Sequence, residues 1–458
     1  MNSTEFRAAY SLAGIFSLRM LGLFMIYPVF TIFAQQHLVG ATPITIGLAL
    51  GAYGLAQAVF QIPFGLASDR VGRKKMIAIG LLIFAVGSVV AALSDSIWGV
   101  IAGRLLQGGG AVSSVILALN ADLTLEENRN KSMAIIGMTI GLAFAIALVL
   151  GPLLNGWIGV PGIFGFTAVL ALAGVPVLYK VTPEPAAAYS HRDTQAVPAM
   201  FWTVLGDPEL RRFDFGIFAL HAMLAASFIA LPELLRGTLD IGERQEWMVY
   251  LPVLAVSFVV MIPAVILAEA KRLMKPVFIG SVALLLVTQV VLAAYHNSWL
   301  ELVVLLTLFF AAFNVMEASL PSLISKAAPA DGKGTAMGVY SSAQFFGIFA
   351  GGMLGGWAYG ADGVSGVFWV GSAIAVVWLG VAATMPQPRF ARTHLLAVGA
   401  LDDDEANALA RRIEAEAGVF EASVVSADRV AYIKFDGKLT SADHLDQFAA
   451  AQAHAGES

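Results

Sequence analysis

Twelve apolar segments fill most of the first 385 residues of this 458-residue chain. A helix needs about 20 mostly apolar residues to cross the hydrocarbon core of a bilayer, and each segment reaches that length. The chain is 58% hydrophobic and 13% charged, whereas soluble domains carry about 25% charged residues. The sequence therefore predicts an all-α polytopic membrane protein. Its predicted transmembrane helices 1 to 12 are 9–34, 42–67, 75–94, 98–120, 131–156, 161–181, 212–234, 247–268, 275–295, 299–325, 334–359 and 364–385.

Lysine and arginine are distributed unevenly among the connectors. The connectors after predicted helices 1, 3, 5, 9 and 11 hold none, and the connector after helix 7 holds two arginines among acidic residues. Because Lys and Arg resist translocation, the basic connectors are expected on the cytoplasmic side, and both termini with them. The first helix is too long for a cleaved signal peptide. The basic connectors follow predicted helices 2, 4, 8 and 10 and contain Arg70, Arg73, Lys74, Lys75, Arg129, Lys131, Lys271, Arg272, Lys275, Lys326 and Lys333.

The longest connector, residues 182–211, is rich in Pro and Ala and follows the sixth predicted helix. Such a composition is typical of a linker. The sequence therefore predicts two six-helix halves, residues 1–181 and 212–387, joined by a cytoplasmic linker.

Two short stretches recur in the second half in the same order as in the first. Residues 14–19 match residues 216–221, and residues 151–157 match residues 351–357. Both pairs lie about 200 residues apart, which predicts that the two halves share one architecture.

A short charged stretch, residues 65–75, separates two long apolar segments. An ordinary cytoplasmic loop would explain its basic residues but not its two glycines and its aspartate. The spacing Gly65-x-x-x-Asp69-Arg70-x-Gly72-Arg73-Lys74 resembles the signature loop between helices 2 and 3 of the major facilitator superfamily.

Two further motifs extend this resemblance to a drug:proton antiporter of that superfamily. The stretch Arg104-Leu-Leu-Gln107-Gly-Gly-Gly-Ala111 resembles the helix-4 motif, whose arginine is associated with proton coupling. Gly151-Pro152 with Gly156 resembles the helix-5 antiporter motif, although Asn155 and Ala147 replace two of its glycines.

The resemblance implies a role for the charged stretch. In the family, the loop aspartate packs at the amino end of helix 11, and the loop arginine pairs with it and with an acid after helix 4. Carried over, these residues are Asp69, Arg73 and Asp122. A contact of this kind exists in only one of two rocking states, so we expect a latch that holds the outward-facing state. Its predicted members are Gly65, Asp69, Arg70, Gly72, Arg73 and Asp122.

Four ionisable residues lie within predicted transmembrane helices: Arg19, Arg104, His221 and Glu317. Each costs about 2.5–3.5 kcal/mol on insertion scales, and such residues usually mark functional sites. They occupy helices 1, 4, 7 and 10, which are expected to line the central cavity of a two-half transporter. We expect Glu317 to carry the proton, with His221 second and the arginines as counter-charges. The alternative is structural, with arginines bound to backbone carbonyls, a fixed ion pair at Glu317 and a packed histidine.

Uncharged polar residues recur along two helices. Tyr53, Gln57 and Gln61 share one face of predicted helix 2, and Tyr340 and Gln344 share one face of predicted helix 11. Stripes of this kind suit a wet cavity wall, although they also join helices in lipid. The predicted substrate cavity consists of Tyr53, Gln57, Gln61, Gln107, Asn314, Tyr340 and Gln344.

The composition changes after the last predicted helix. Residues 394–458 predict a strand, a helix, two strands and a second helix, which is most of a ferredoxin-like domain. The chain contains no cysteine, so disulfides and zinc–thiolate sites are excluded, and no metal or cofactor is predicted. This α+β tail is a candidate for self-association or for binding a partner.

The sequence and the resemblance together predict a proton-coupled secondary transporter of a bacterial inner membrane. It would export a small amphipathic compound by alternating access; no enzymatic activity and no nucleic-acid binding are expected. No ATP-binding Gly-x-x-x-x-Gly-Lys-Ser/Thr motif is present, which argues against an ATP-driven pump. Two alternatives stay open: a uniporter of the same fold, and a membrane sensor that signals through its tail.

Overall fold

The computed structural model describes residues 1–184, 200–239, 245–295, 298–329, 332–387, 391–399, 401–426 and 429–448. The chain divides into two compact units. Unit 1 consists of Met1–Tyr189, Asp214–Leu320 and Tyr340–Thr384, and unit 2 of Ser190–Phe213, Pro321–Val339 and Met385–Ser458. Most of the predicted linker, residues 185–199, lies outside the described residues.

Thirteen helices precede the tail in the described part of the chain. Their bounds are α1 Ser3–Phe24, α2 Tyr27–His37, α3 Pro43–Val71, α4 Arg73–Ala92, α5 Ile97–Gly109, α6 Ser113–Asp122, α7 Glu126–Lys180, α8 Phe201–Gly206, α9 Pro208–Leu239, α10 Trp247–Ala270, α11 Met274–Ala294, α12 Trp299–Ala327 and α13 Lys333–Ala383.

Ten helical stretches of the described residues are long and apolar enough to cross a membrane. Two of them, Lys131–Lys180 and Lys333–Ala383, have 50 and 51 residues. At 1.5 Å per residue each is about 75 Å long, enough to cross a hydrocarbon core of about 30 Å twice. Both are interrupted, at Gly159 and at Asp362–Gly363. The twelve predicted crossings are therefore confirmed.

Two predicted helices are broken near their middles. Residues 9–34 form parts of α1 and α2, which separate at Met25 and Ile26, and Pro28 lies in the first turn of α2. Residues 98–120 form parts of α5 and α6, which separate at Gly110–Val112. A continuous apolar pattern does not reveal such breaks, because the residues on both sides are equally apolar.

The predicted loop at residues 65–75 is wrong as a loop, because most of it is helical. Helix α3 continues to Val71, and α4 begins at Arg73. Gly72 alone separates them, with a φ of 102°. Glycine adopts this backbone region without steric cost, so a single residue suffices for the turn.

The two ends of the bundle are named here after α3: the Pro43 end, where α3 begins, and the Asp69 end, where it ends. Exposed aromatic side chains cluster at the Pro43 end: Trp98, Trp157, Tyr295, Trp299 and Trp357. Tyrosine and tryptophan are enriched where a membrane meets water. Such side chains are expected where this end of the bundle meets the membrane surface.

Helices α3 and α13 pack backbone to backbone near the Pro43 end. A Cβ atom at Gly47 would overlap the carbonyl oxygen of Gly352, and one at Gly356 would overlap the carbonyl oxygen of Pro43. Glycines at a crossing allow this approach. One polar contact between the halves adds to it, because Gln35 of α2 donates to Tyr359 of α13 at 3.4 Å. Tyr359 donates in turn to Glu233 of α9, within the second half. The two halves are therefore in direct contact at the Pro43 end.

The matched stretches of the two halves make corresponding contacts. Gly151 of α7 lies against the backbone of Met25, at the end of α1, and Gly351 of α13 lies against the backbone of Ala222 on α9. In each half the fifth membrane crossing thus packs on the first through a glycine, as the predicted repeat requires.

The tail contains a three-stranded antiparallel sheet in the order β1–β3–β2. Helix α14 packs on the sheet, with Leu409 and Ile413 against Ile433 and Phe435 of β3. Strand β1 begins three residues earlier than predicted, and residues 449–453 of the predicted second helix lie outside the described residues. The bounds are β1 Ala391–Ala397, α14 Asp403–Glu414, β2 Val419–Val425, β3 Val430–Asp436 and α15 Ala442–Leu445.

The strand and helix order βαββα agrees with the sequence pattern. The ferredoxin-like assignment of this tail stays a prediction.

Candidate transport site

His221, Gln344 and Glu317 form one polar cluster that joins α9, α13 and α12. The Nδ1 atom of His221 lies 3.2 Å from the carbonyl oxygen of Ile217, and its Nε2 atom lies 2.9 Å from the Gln344 amide nitrogen. A hydrogen on Nδ1 therefore leaves Nε2 to accept from the amide. The same amide group donates to Glu317 Oε1 at 3.4 Å. The structure thus brings together the two residues proposed for proton transfer.

Glu317 is only partly enclosed by this cluster. Its side chain is 32% exposed, and its Oε2 atom lies 3.8 Å from His221 Nε2. Oε2 itself is buried and has no hydrogen-bond partner among the described residues. An enclosed carboxylate oxygen without a donor is unfavourable. A proton, a water molecule or a substrate group would each satisfy it.

Arg19 and Arg104 lie in a second cluster, built around the ring of Tyr53. The guanidinium carbons lie 5.5 Å and 5.1 Å from the centre of this ring, within the range of cation–π attraction. Arg19 donates to Gln57 and, at 2.9 Å, to Ser113. Arg19, Arg104 and Tyr53 are fully or almost fully buried.

Arg104 is held mainly by groups that cannot ionise. It donates to Gln107 at 2.9 Å and approaches the carbonyl oxygens of Ala49 and Leu50 at 3.4 Å each. Gln107 in turn donates to Ser88 at 2.7 Å. These contacts match the structural alternative for this arginine, in which backbone carbonyls hold the charge.

The expectation that both arginines act as counter-charges for Glu317 is not met in this conformation. Among the described residues neither Arg19 nor Arg104 contacts a carboxylate. Asn314, three residues before Glu317 on α12, donates to Ser257 on α10 at 3.0 Å. Each of these side chains therefore has its polar contacts with uncharged groups.

The predicted cavity stripe is buried in this conformation. Gln57 donates to Gln61 at 3.1 Å, and both side chains are almost completely enclosed. Tyr53, Gln107, Asn314 and Tyr340 are also buried, whereas Gln344 is half-buried. In this state the polar side chains join helices, which is the second of the two interpretations given for the sequence pattern. Their role in lining a substrate cavity stays a prediction.

The charged cluster at the Asp69 end is formed largely as expected. Arg73 pairs with Asp69 at 2.5 Å and with Asp122 at 3.2 Å, and it donates to Ser68 at 2.5 Å. Gly65 lies next to Ser114, and a Cβ atom there would make an ordinary van der Waals contact of 3.4 Å with Ser114 Oγ.

Arg70 is not part of this arrangement. It is exposed, and no ion pair or hydrogen bond of its side chain is present among the described residues.

Ser113 and Asp214 are among the buried polar residues that sequence reasoning overlooked. Ser113 begins α6 and accepts from Arg19, and its position after the Gly-Gly-Gly stretch could have suggested a helix start. Asp214 lies within α9 and is 9% exposed. It is only the third residue of predicted helix 7, where the sequence gives no signal of burial.

Comparisons with known proteins agree with this architecture. The family model described as Major Facilitator Superfamily matches residues 12–268 and 213–429. The chain is 45% identical over 447 residues to the inner membrane transport protein YajR of Escherichia coli (strain K12), covering 98% of both chains. It is 34% identical to an uncharacterized transporter of Buchnera aphidicola subsp. Acyrthosiphon pisum (strain APS), covering 77% of this chain and 90% of the relative.

Solved structures share the fold at low sequence identity. A bacterial homolog of the human lysosomal transporter Spinster, in an inward-facing and occupied conformation, matches with a TM-score of 0.71 and 12% identity, over 84% of this chain and 97% of that chain. The human organic anion transporter MFSD10 (TETRAN) matches with a TM-score of 0.60 and 20% identity, over 83% and 100%.

The relatives and the family are transporters rather than enzymes. Together with the two packed halves and the apolar helices, these similarities show that the chain is a membrane transporter that belongs to the major facilitator superfamily.

Proposed function

We propose that this transporter couples proton movement to the export of a small amphipathic compound by alternating access. In this proposal the protein lies in a bacterial inner membrane with both termini in the cytoplasm. The Asp69 end then faces the cytoplasm, because that end carries the basic connectors. The 45%-identical relative YajR is an inner membrane transport protein, which supports this location.

The observation that supports proton coupling best is the cluster of Glu317, His221 and Gln344. A carboxyl group and an imidazole lie 3.8 Å apart on helices that belong to the same half. In water the reference pKa is about 4.3 for a glutamate carboxyl group and about 6.5 for an imidazole, so both groups can gain and lose a proton. An arginine stays cationic. The unpaired Oε2 atom of Glu317 offers the site for the proton.

Alternating access requires that the contact between the halves at the Pro43 end opens during the cycle. In the present structure the glycine crossing of α3 and α13 closes that end, and Thr31 adds a hydrogen bond to the carbonyl oxygen of Phe228 at 3.4 Å. Export would need a second state in which these contacts separate. The small residues favour such a change, because few side chains interdigitate there.

We also propose that the Asp69–Arg73–Asp122 cluster biases this equilibrium as a latch. Its ion pairs are intact in a structure that is closed at the Pro43 end. Their formation alone therefore does not distinguish the two states. In the proposal the cluster acts as a preformed unit, whose docking on other parts of the chain changes between states.

Flux measurements in vesicles test the proposal. Purified full-length protein is reconstituted, and amphipathic fluorescent dyes, beginning with ethidium, are tried with and without an imposed pH gradient. Proton coupling predicts that the gradient drives a dye against its concentration difference. Dye movement that ignores the gradient would favour the uniporter, and binding without any movement would favour the sensor.

A further inference from the structure

A second enclosed carboxyl group lies two helical turns from His221. Asp214 is 9% exposed, and its Oδ1 atom has no hydrogen-bond partner among the described residues. Both residues lie on α9, seven positions apart. That spacing places their side chains on the same helix face, about 10 Å apart along the axis. Asp214 therefore lies on the Asp69 side of the His221 cluster.

The side chains that meet Gly216, two residues from Asp214, are uncharged: Leu320 of α12 and Trp378 of α13. On α9 itself the ionisable neighbours are Arg211 and Arg212 one turn earlier and His221 two turns later. No ion pair of Asp214 is present among the described residues.

We propose that Asp214 is a second proton-binding residue, on the Asp69 side of the cluster of His221, Gln344 and Glu317. This inference rests on the proposed proton coupling. A proton on the unpartnered Oδ1 atom converts the enclosed carboxylate to a neutral carboxylic acid, which removes the cost of an unpaired buried charge.

Infrared titration of the full-length protein in lipid tests this proposal without any substrate. The carbonyl band of protonated carboxyl groups is recorded as the pH changes, for the parent, Asp214→Asn and Glu317→Gln. Asp95→Asn is the matched control, because Asp95 is exposed at the Pro43 end. We expect Asp214→Asn to remove a component that Glu317→Gln retains.

Two results separate failure of this inference from failure of the proposed function. If Asp214→Asn removes no component, or only one that changes with pH as the component lost in Asp95→Asn does, Asp214 is an ordinary hydrated acid. The component of Glu317 would then still support coupling at that residue. If Glu317→Gln also behaves like the Asp95 control, proton coupling itself is contradicted. Asp214→Glu keeps the carboxyl group and should restore the component, which guards against a folding defect.

An independent observation concerns the tail. Lys434 lies on β3 and is 4% exposed. Its ammonium group donates to the carbonyl oxygen of Ala328 and pairs with Glu421 at 3.1 Å. Ala328 directly follows α12, and both Ala328 and Lys434 belong to unit 2. The last carbonyl groups of a helix lack partners within it, and cationic side chains stabilise them.

We infer that Lys434 is a cap for α12 that the tail supplies. Glu317 lies on the same helix, so a change in the tail that withdraws Lys434 would loosen the end of the helix that carries the proposed proton site. Hydrogen exchange at residues 322–328 measures this directly. Lys434→Met should make these amides exchange faster, whereas the exposed Lys438→Met should leave them unchanged.

The tail's own ion pair provides the second control. Glu421→Gln removes the pair with Lys434 but keeps the ammonium group. If exchange at residues 322–328 rises with Glu421→Gln as much as with Lys434→Met, the effect comes from the tail's stability and the cap is refuted. Unchanged exchange in Lys434→Met would refute it as well.

Discussion

The imidazole of His221 and the carboxyl group of Glu317 lie 3.8 Å apart, and the amide of Gln344 contacts both. Each of the three residues comes from a different helix. A change in the charge of Glu317 therefore acts on the packing of α9 and α13 as well as on its own helix. This arrangement gives protonation a physical route to conformational change.

Replacing Gln344 with leucine should weaken this link. The change removes the amide that bonds to His221 and approaches Glu317. A hydrogen bond of this kind contributes about 0.5–1.5 kcal/mol, so we expect a slightly lower thermal midpoint and a clear loss of gradient-driven dye flux. Ser342→Ala is the control, because the Ser342 hydroxyl makes no hydrogen bond among the described residues. Equal flux in both variants would contradict the prediction.

Alanine at Gly352 should hold the Pro43 end open. Its Cβ atom would overlap the carbonyl oxygen of Gly47. Neither atom can rotate away, because one belongs to the backbone and the other is bonded directly to it, so the helices must separate. The chain has no cysteine, so a single Thr31→Cys reporter is unambiguous. Thr31 is 1% exposed, and its labelling should be slow in the parent and faster with Gly352→Ala. Gly280→Ala is the control, since a Cβ atom there meets nothing; equally slow labelling in all three would refute the gate.

Asparagine at Asp69 should reduce transport with little loss of stability. Asp69 is partly exposed, and ion pairs of that kind contribute about 0.2–1 kcal/mol. Arg73 keeps its bonds to Ser68 and Asp122, so the local fold should persist. The exposed Lys75→Gln serves as a charge control. Parental dye flux in Asp69→Asn would contradict the proposed latch.

The helices were largely predictable from sequence because lipid imposes a simple rule on length and polarity. Hydrophobicity alone located all twelve crossings. It did not reveal the breaks at Met25–Ile26 and at Gly110–Val112, since a break in the backbone leaves the apolar pattern intact. It also did not show that the charged stretch before Gly72 is helical.

The candidate site was predictable in its members but only partly in its pairings. Glu317 and His221 stand out as ionisable residues in apolar helices, and the structure places them together. Which helix faces which is a tertiary property, so the sequence could not place Arg19 and Arg104 around Tyr53 and away from Glu317. Asp214 was missed because only the packing of α9 shows that it is buried.

Truncation at about Arg389 should leave a folded membrane body. The tail has its own core, in which Leu409, Ile413 and Phe435 are enclosed. We expect the shortened chain to insert and to remain monodisperse in detergent, with faster hydrogen exchange at the end of α12, because Lys434 is lost. Aggregation of the truncated chain alone would show that the tail is part of the membrane body's fold.

The measurement that tests the account most directly is uphill transport by Glu317→Gln. Glutamine keeps the shape and hydrogen bonding of the side chain but cannot ionise. In vesicles with an imposed pH gradient, the variant should exchange dye across the membrane yet fail to accumulate it, and His221→Asn should show a weaker defect. If both variants accumulate dye against its gradient as the parent does, neither residue carries the proton and the account is contradicted.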